Sequence, residues 1–78
     1  MKAKTKANFR IGALYRVIKR LILEDEEGNL VTCVEPNGIA MFLGFQRIHG
    51  STKALWQWDE TKGYTACEDL RRTRRIHP

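Results

Sequence analysis

Serine occurs once in this sequence, at Ser51, and histidine only twice, at His49 and His77. There is no Gly-rich phosphate loop, no nucleophile elbow and no His-x-x-x-His pair. His49 and Ser51 fall in one loop. Asp59 and Glu60 are adjacent, so on a strand their carboxylates point apart. Catalysis needs groups that converge. These absences predict a protein that is not an enzyme and carries no cofactor.

Cysteine is equally sparse. Cys33 and Cys67 form no Cys-x-x-Cys pair, and two are too few for a disulfide framework. They read as small buried or half-buried thiols. With His49 and His77 they make four scattered residues without ligand spacing, so no metal is expected. No apolar run approaches the ~18 residues of a membrane span. The amino end is basic, but no long apolar segment follows it, so it does not read as a secretory signal. The expected location is the cytoplasm.

What is present is a short chain of ordinary globular composition. At 42% hydrophobic and 29% charged residues it is expected to fold rather than stay disordered. Its 78 residues make one domain. A chain of this size buries only roughly 60 per cent of its unfolded surface, so the core must be small.

Charge is segregated. Residues 1–20 hold seven basic side chains (Lys2, Lys4, Lys6, Arg10, Arg16, Lys19, Arg20) and no acid. Arg71, Arg72, Arg74 and Arg75 crowd the carboxyl end, and Glu24-Asp25-Glu26-Glu27 form an acidic knot between. Met1 to Asn8 lacks periodicity, so residues 1–10 read as a flexible basic arm and 11–78 as the folded domain. Phe9 and Ile11 are candidates to pin the arm's end to the body.

The longest apolar run, Gly38 to Phe45, follows the turn signal Pro36-Asn37-Gly38. It reads as a central strand covered on both faces. Ile39, Met41, Leu43 and Phe45 would line one face; Ala40, Phe42 and Gly44 would line the other. Ala13 to Leu23 fits two patterns. Leu14, Val17, Ile18, Leu21 and Ile22 recur at helical spacing. Tyr15, Val17, Leu21 and Leu23 also fit period two, and a helix here would end on four acids, the wrong charge for its carboxyl terminus. Strand is the preferred reading. Glu26-Glu27-Gly28-Asn29 then becomes a hairpin turn into Leu30–Val34.

His49 to Lys53 reads as a loop and Ala54 to Asp59 as a strand on which Trp56 and Trp58 share a face. Thr61-Lys62-Gly63 reads as a tight turn, Tyr64 to Glu68 as the return strand, Glu68 to Arg72 as one helical turn, and Thr73 to Ile76 as a last strand.

This layout resembles the Src-homology-3 (SH3) family. Ala13-Leu14-Tyr15 matches its opening motif, and an acidic hairpin follows. Val34 to Gly38 stands at its diverging turn, Trp56-Gln57-Trp58 at its third strand, and Gly63-Tyr64 through Leu70 at its fourth strand and one-turn helix. The resemblance covers roughly residues 12–76 and implies a mainly β protein: a small barrel of about five strands with a one-turn helix before the last. Barrels of this kind are common among phage and mobile-element proteins. It also implies a peptide groove with Tyr15 and Trp56 in the wall. Val17 replaces the second aromatic of the opening motif, however, and the late Pro and Tyr are missing near Ala66 and Leu70. That leaves a proline-rich-peptide module as the lesser expectation.

Two binding readings follow. In the first, the basic residues meet an acidic surface on a protein or a nucleic-acid-handling complex, as a phage accessory or inhibitor protein would. In the second, Lys2, Lys4, Lys6 and the four carboxyl-terminal arginines grip nucleic acid, with exposed aromatics stacking on bases. The candidate binding residues are therefore Arg71, Arg72, Arg74, Arg75, Lys2, Lys4, Lys6, Tyr15 and Trp56.

Overall fold

The structure, a computed structural model, describes residues 8–76. It is mainly β. Seven strands run in chain order: β1 (Leu14–Val17), β2 (Leu21–Glu24), β3 (Leu30–Val34), β4 (Ile39–Ile48), β5 (Ser51–Trp58), β6 (Thr61–Ala66) and β7 (Thr73–Arg75). A 3₁₀ helix, Cys67–Arg72, separates β6 from β7. All strand pairs are antiparallel, in the order β3-β2-β6-β5-β4-β1-β7. The expected barrel of about five strands is thus corrected to one open sheet of seven. Ala13 to Leu23, read as one strand, forms two, β1 and β2, and β3 and β7 remain as unjoined edges.

The period-two reading of Ala13 to Leu23 holds. Tyr15, Val17, Leu21 and Leu23 are all buried, and the residues between them face outward. Val17, near one end of the sheet order, and Val34, at the other, share a single core cluster with Phe42, Ala54, Trp56 and Leu70. The sheet therefore curls around one core without closing. Phe9 joins that core, stacked on Tyr15 at 4.7 Å between ring centroids. The end of the basic arm belongs to the body, although Ile11 stays exposed.

The polar tips of Tyr15, Trp56 and Thr73 are satisfied, as burial requires. The Tyr15 hydroxyl accepts from the Arg10 amide at 3.0 Å. Trp56 Nε1 donates to Thr65 Oγ1 at 3.0 Å, and Thr73 Oγ1 donates to the Leu70 carbonyl at 2.8 Å.

The central strand departs from expectation in two ways. Only one of its faces is covered: Ala40 and Phe42 are buried, while Ile39 and Met41 are exposed. A bulge also interrupts its pairing with β5 between Phe42 and Gly44. Gly44 makes the bulge possible with φ +125, a conformation open to glycine and strained for other residues. The extra residue shifts parity. Phe45 consequently packs inward, its ring 5.0 Å from that of Phe42, and does not share a face with Ile39 and Met41 as alternation implied.

Two turns are tighter than their composition suggested. His49 and Gly50 alone join β4 to β5, both with positive φ, so Ser51 to Lys53 are strand. Asp59 and Glu60 join β5 to β6, so Thr61 to Gly63 are strand as well. Gly63 is needed there for packing: a Cβ on it would stand 2.5 Å from Leu23 Cβ. That close approach lets β2 reach β6, to which it is joined at Glu24↔Tyr64.

The acidic hairpin tip is held by Asp25. Its Oδ1 accepts the amides of Asn29 and Glu27 at 2.9 Å each. The backbone bond from Asn29 is the largest cause holding the Asp25 carboxyl below its ordinary value; desolvation opposes it, and the Asn29 side chain with the Glu27 and Gly28 amides adds to the lowering. A depressed folded pKa contributes stability above the unfolded pKa and loses it as pH falls through the folded one. Wild type and Asp25→Asn should therefore differ in melting temperature at pH 7 and converge as pH drops below the ordinary aspartate range. A gap that persists at low pH would show that the carboxylate is not what orders the tip.

Phe42 is fully buried and Leu43 only half-buried. Phe42→Ala should cost about 3–5 kcal/mol, as deep aromatic truncations do. Leu43→Ala should cost about 1–2 kcal/mol, in proportion to the area it loses. Urea unfolding of both variants checks this. Equal losses would mean that both faces of β4 are covered after all.

Candidate binding face

The structure divides the candidate residues. Tyr15 and Trp56 are 1% and 0% exposed, so neither can line a groove or stack on a base. They are core, and their assignment as binding residues is corrected. Lys2, Lys4 and Lys6 lie outside the described residues, as does His77.

The four carboxyl-terminal arginines do not act as one cluster. Arg72 is already engaged: its Nε lies 3.0 Å from Asp69 Oδ1, and its Nη1 donates to the Arg20 carbonyl at 3.3 Å. The i,i+3 spacing within the 3₁₀ helix brings this acid and base together. Arg71 is exposed at the end of that helix. Beyond Thr73 the chain is extended, so successive side chains take opposite faces. Arg74 points outward. Arg75 is half-buried, and its Nε is enclosed with no hydrogen-bond partner among the described residues.

On the outer face Arg74 sits directly opposite Arg16 of β1. The Ile76 amide donates to the Leu14 carbonyl and the Ile18 amide to the Arg72 carbonyl. Antiparallel pairing alternates, so Arg16↔Arg74, midway between, is also a hydrogen-bonded pair, with Cα atoms about 5.5 Å apart. Two guanidinium side chains thus rise side by side. The hollow beside them, about 450 Å³, is lined by Arg16, Ile18, Asn37, Arg74, Arg75 and Ile76, with no acid among them. Asn37 takes φ 77, its amide donating to the Val17 carbonyl at 2.7 Å, which fixes the hollow's floor against β1.

The same face continues as an aliphatic row. Arg16 is opposite Ile39, and Leu14 is opposite Met41. Ile39, Leu14 and Met41 are 47%, 43% and 37% exposed, large values for adjacent apolar side chains on a small protein. Together β7, β1 and β4 present aliphatics beside a pair of arginines.

A larger cleft, about 720 Å³, opens between the β2–β3 hairpin and the 3₁₀ helix. Its charges are balanced internally. Arg20 lies 3.4 Å from Glu35, Arg72 pairs with Asp69, and Glu24 stands on the same wall as Lys53. The smaller hollow carries the uncompensated charge and is the better candidate.

Sequence reasoning missed Arg16, Leu14, Ile39 and Met41. A signal existed for Arg16, which alternates with Tyr15 and Val17 and must face out once they face in. Its meeting with Arg74 depends on a pairing across 58 positions of chain and leaves no local trace. His49 and Ser51 flank a turn on the surface. Among the described residues no group of three His, Cys, Asp or Glu side chains gathers to hold a metal, and no helix is long and apolar enough to cross a membrane. No protein-family model, curated protein or solved structure matches this chain.

Like charges directly opposite on a sheet are destabilising. Arg74→Glu turns the pair into an attractive one and should raise stability by about 0.2–1 kcal/mol, measured by urea unfolding at low salt. The gain should shrink as salt screens it. A loss of stability in this variant would mean that the two arginines are not in conflict.

Proposed function

We propose that this chain is a non-enzymatic binding protein, and that the outer face of β7, β1 and β4 docks on an acidic surface of a protein partner. The observation that carries this is the Arg16–Arg74 pair, with no acid among the described residues that line its hollow, contiguous with exposed Ile39, Leu14 and Met41. Arginine beside aliphatic surface is the composition of a protein interface, where apolar area supplies affinity and charge supplies selection. The resemblance to SH3-like proteins of phages and mobile elements extends this to an accessory or inhibitor role, with a nucleic-acid-handling complex as partner. The strand order β6-β5-β4-β1-β7, with the acidic β2–β3 hairpin after β1 and the 3₁₀ helix ahead of the last strand, supports that resemblance.

Nucleic acid is the second reading, favoured by the same three arginines Arg16, Arg74 and Arg75 around one hollow. The burial of Tyr15 and Trp56 keeps these two rings from the base stacking that single-stranded binding uses. A proline-rich ligand is disfavoured for the same reason, because it needs an aromatic-lined slot.

The test is capture from the native host with and without nuclease, using wild type and the Arg16→Glu/Arg74→Glu double variant. A protein retained after nuclease and lost with the double variant is the expected result. Gel shifts with duplex and single-stranded probes decide the alternative. Binding by tens of micromolar at low salt, with a salt slope that falls by about one unit per arginine removed, would replace the protein reading with the nucleic-acid one.

A further inference from the structure

The β7 edge bears on how a partner is held. Its neighbour β1 takes the hydrogen bonds of alternate residues: the Ile76 amide goes to Leu14, and the Arg72 carbonyl receives Ile18. By that alternation the amide and carbonyl of Arg75 point away from β1. No described residue bonds either of them. Among the described residues the sheet ends here with one unpaired donor and one unpaired acceptor on a single residue, the arrangement that a further antiparallel strand completes with a pair of hydrogen bonds.

The side chains around this edge restrict what that strand can be. Arg74 and Arg16 stand on the outer face beside it, Arg75 is the edge residue itself, and no acid lines their hollow. Ile76 and Ile18 flank the arginines. An edge that carries arginines repels a basic or neutral intruder, which is how proteins guard open sheets. The same charges attract a strand bearing carboxylates at alternate positions. On such a strand the carboxylates and the apolar residues fall on opposite faces, so the carboxylates reach Arg74 and Arg16 on the outer face beside Ile76, while the apolar residues between them turn toward the concave side, the face that Arg75 takes opposite Tyr15.

The opposite edge does not offer this. Strand β3 is interrupted by a bulge opposite Leu23 and Glu24, and it leads from the acidic tip Asp25 to Glu27. It would repel the segment that β7 attracts.

We infer that the β7 edge receives an extended acidic segment of the partner by antiparallel strand addition, with Arg75 supplying the backbone bonds and Arg16 and Arg74 the carboxylate contacts. This rests on the proposed acidic protein partner and adds the mode of recognition.

The probe is a ten-residue synthetic peptide alternating Glu and Val, added to the isotopically labelled full chain. It is compared with a Lys/Val peptide and with a Glu/Val peptide N-methylated at its valines, the residues whose amides turn toward Arg75 when the glutamates face Arg16 and Arg74. The expected result is binding of the Glu/Val peptide alone, at least tenfold slower exchange of the Arg75 amide in the complex, and at least tenfold weaker binding to Arg16→Glu/Arg74→Glu. Equal binding of the N-methylated peptide, or an unchanged Arg75 amide, would overturn strand addition while leaving the acidic-partner reading intact. Absence of Glu/Val binding at millimolar peptide would overturn strand addition as well, and host capture would then decide the broader reading by itself. Because both arginines are exposed, the double variant stays folded, which its amide spectrum verifies directly.

Discussion

The stacking of Phe9 on Tyr15, with Phe42 and Trp56 edge-on around them, is the contact on which the rest of the structure depends. The four rings lie with centroids 4.7 to 6.3 Å apart, in the stacked and edge-to-face arrangements that aromatic pairs favour. They come from the amino-terminal segment, β1, β4 and β5, and so draw the amino-terminal segment and three strands onto one point. A chain of 78 residues has little else with which to fill a core. The consequence is functional. The four rings placed inside are lost to recognition, and what remains on the outer face of β7, β1 and β4 is aliphatic and cationic. That leaves the outer face of β1 and β4 with Leu14, Arg16, Ile39 and Met41 and no ring among them.

Leaving the sheet open creates a second constraint. A closed barrel has no edges, but this sheet has two, and each must be kept from pairing indiscriminately. The two edges use different devices. Strand β3 has its bulge and its acidic approach. Strand β7 has three residues, two of them arginines. Opposite charges at opposite edges also keep one copy from adding β7 to β7 or β3 to β3, since like signs would meet in either case. The shortness of β7 limits what backbone pairing alone can contribute, so any strand added there depends on the side chains of its neighbours.

Much of the fold was legible because burial imposes alternation. Tyr15, Val17, Leu21 and Leu23 announce their strands, and a helix in that stretch would have placed two of them outside. The hairpin at Gly28, the break at Pro36-Asn37, the 3₁₀ segment and the last strand were readable from turn chemistry and the acid–base order around Leu70. Three things were not. The bulge at Gly44 reverses the side-chain parity of β4, and a glycine in an apolar run gives no warning of which side gains the residue. The turns at His49 and Asp59 hide among residues that also suit longer loops. Sheet closure is a matter of whether β3 meets β7, which no local pattern reports. The binding face suffered most. Four arginines close in sequence suggested one patch, yet a helical turn followed by a strand sends them to different places.

That dispersal decides which charges are left over. Asp69 lies closer in sequence to Arg71 and Arg72 than to Arg74, and the 3₁₀ spacing gives it to Arg72. Glu35, the next acid available to this side of the molecule, faces Arg20. Each of these pairs is exposed and contributes little to stability, but each takes an acid away from the outer face. Arg74 crosses to that face one residue after Thr73 turns inward, and there it meets another cation in register. Had selection acted on stability alone, a residue of opposite charge at either position would serve better, and the change requires no repacking because both side chains are solvated. A solvated charge pair can be left unmatched only at a small cost, which is what makes this place suitable for a ligand. The free protein forgoes a fraction of a kcal/mol, and a carboxylate-bearing partner recovers that repulsion on top of its own attraction. The arrangement is thus weak by itself and complete with an anion, the asymmetry expected of a recognition surface.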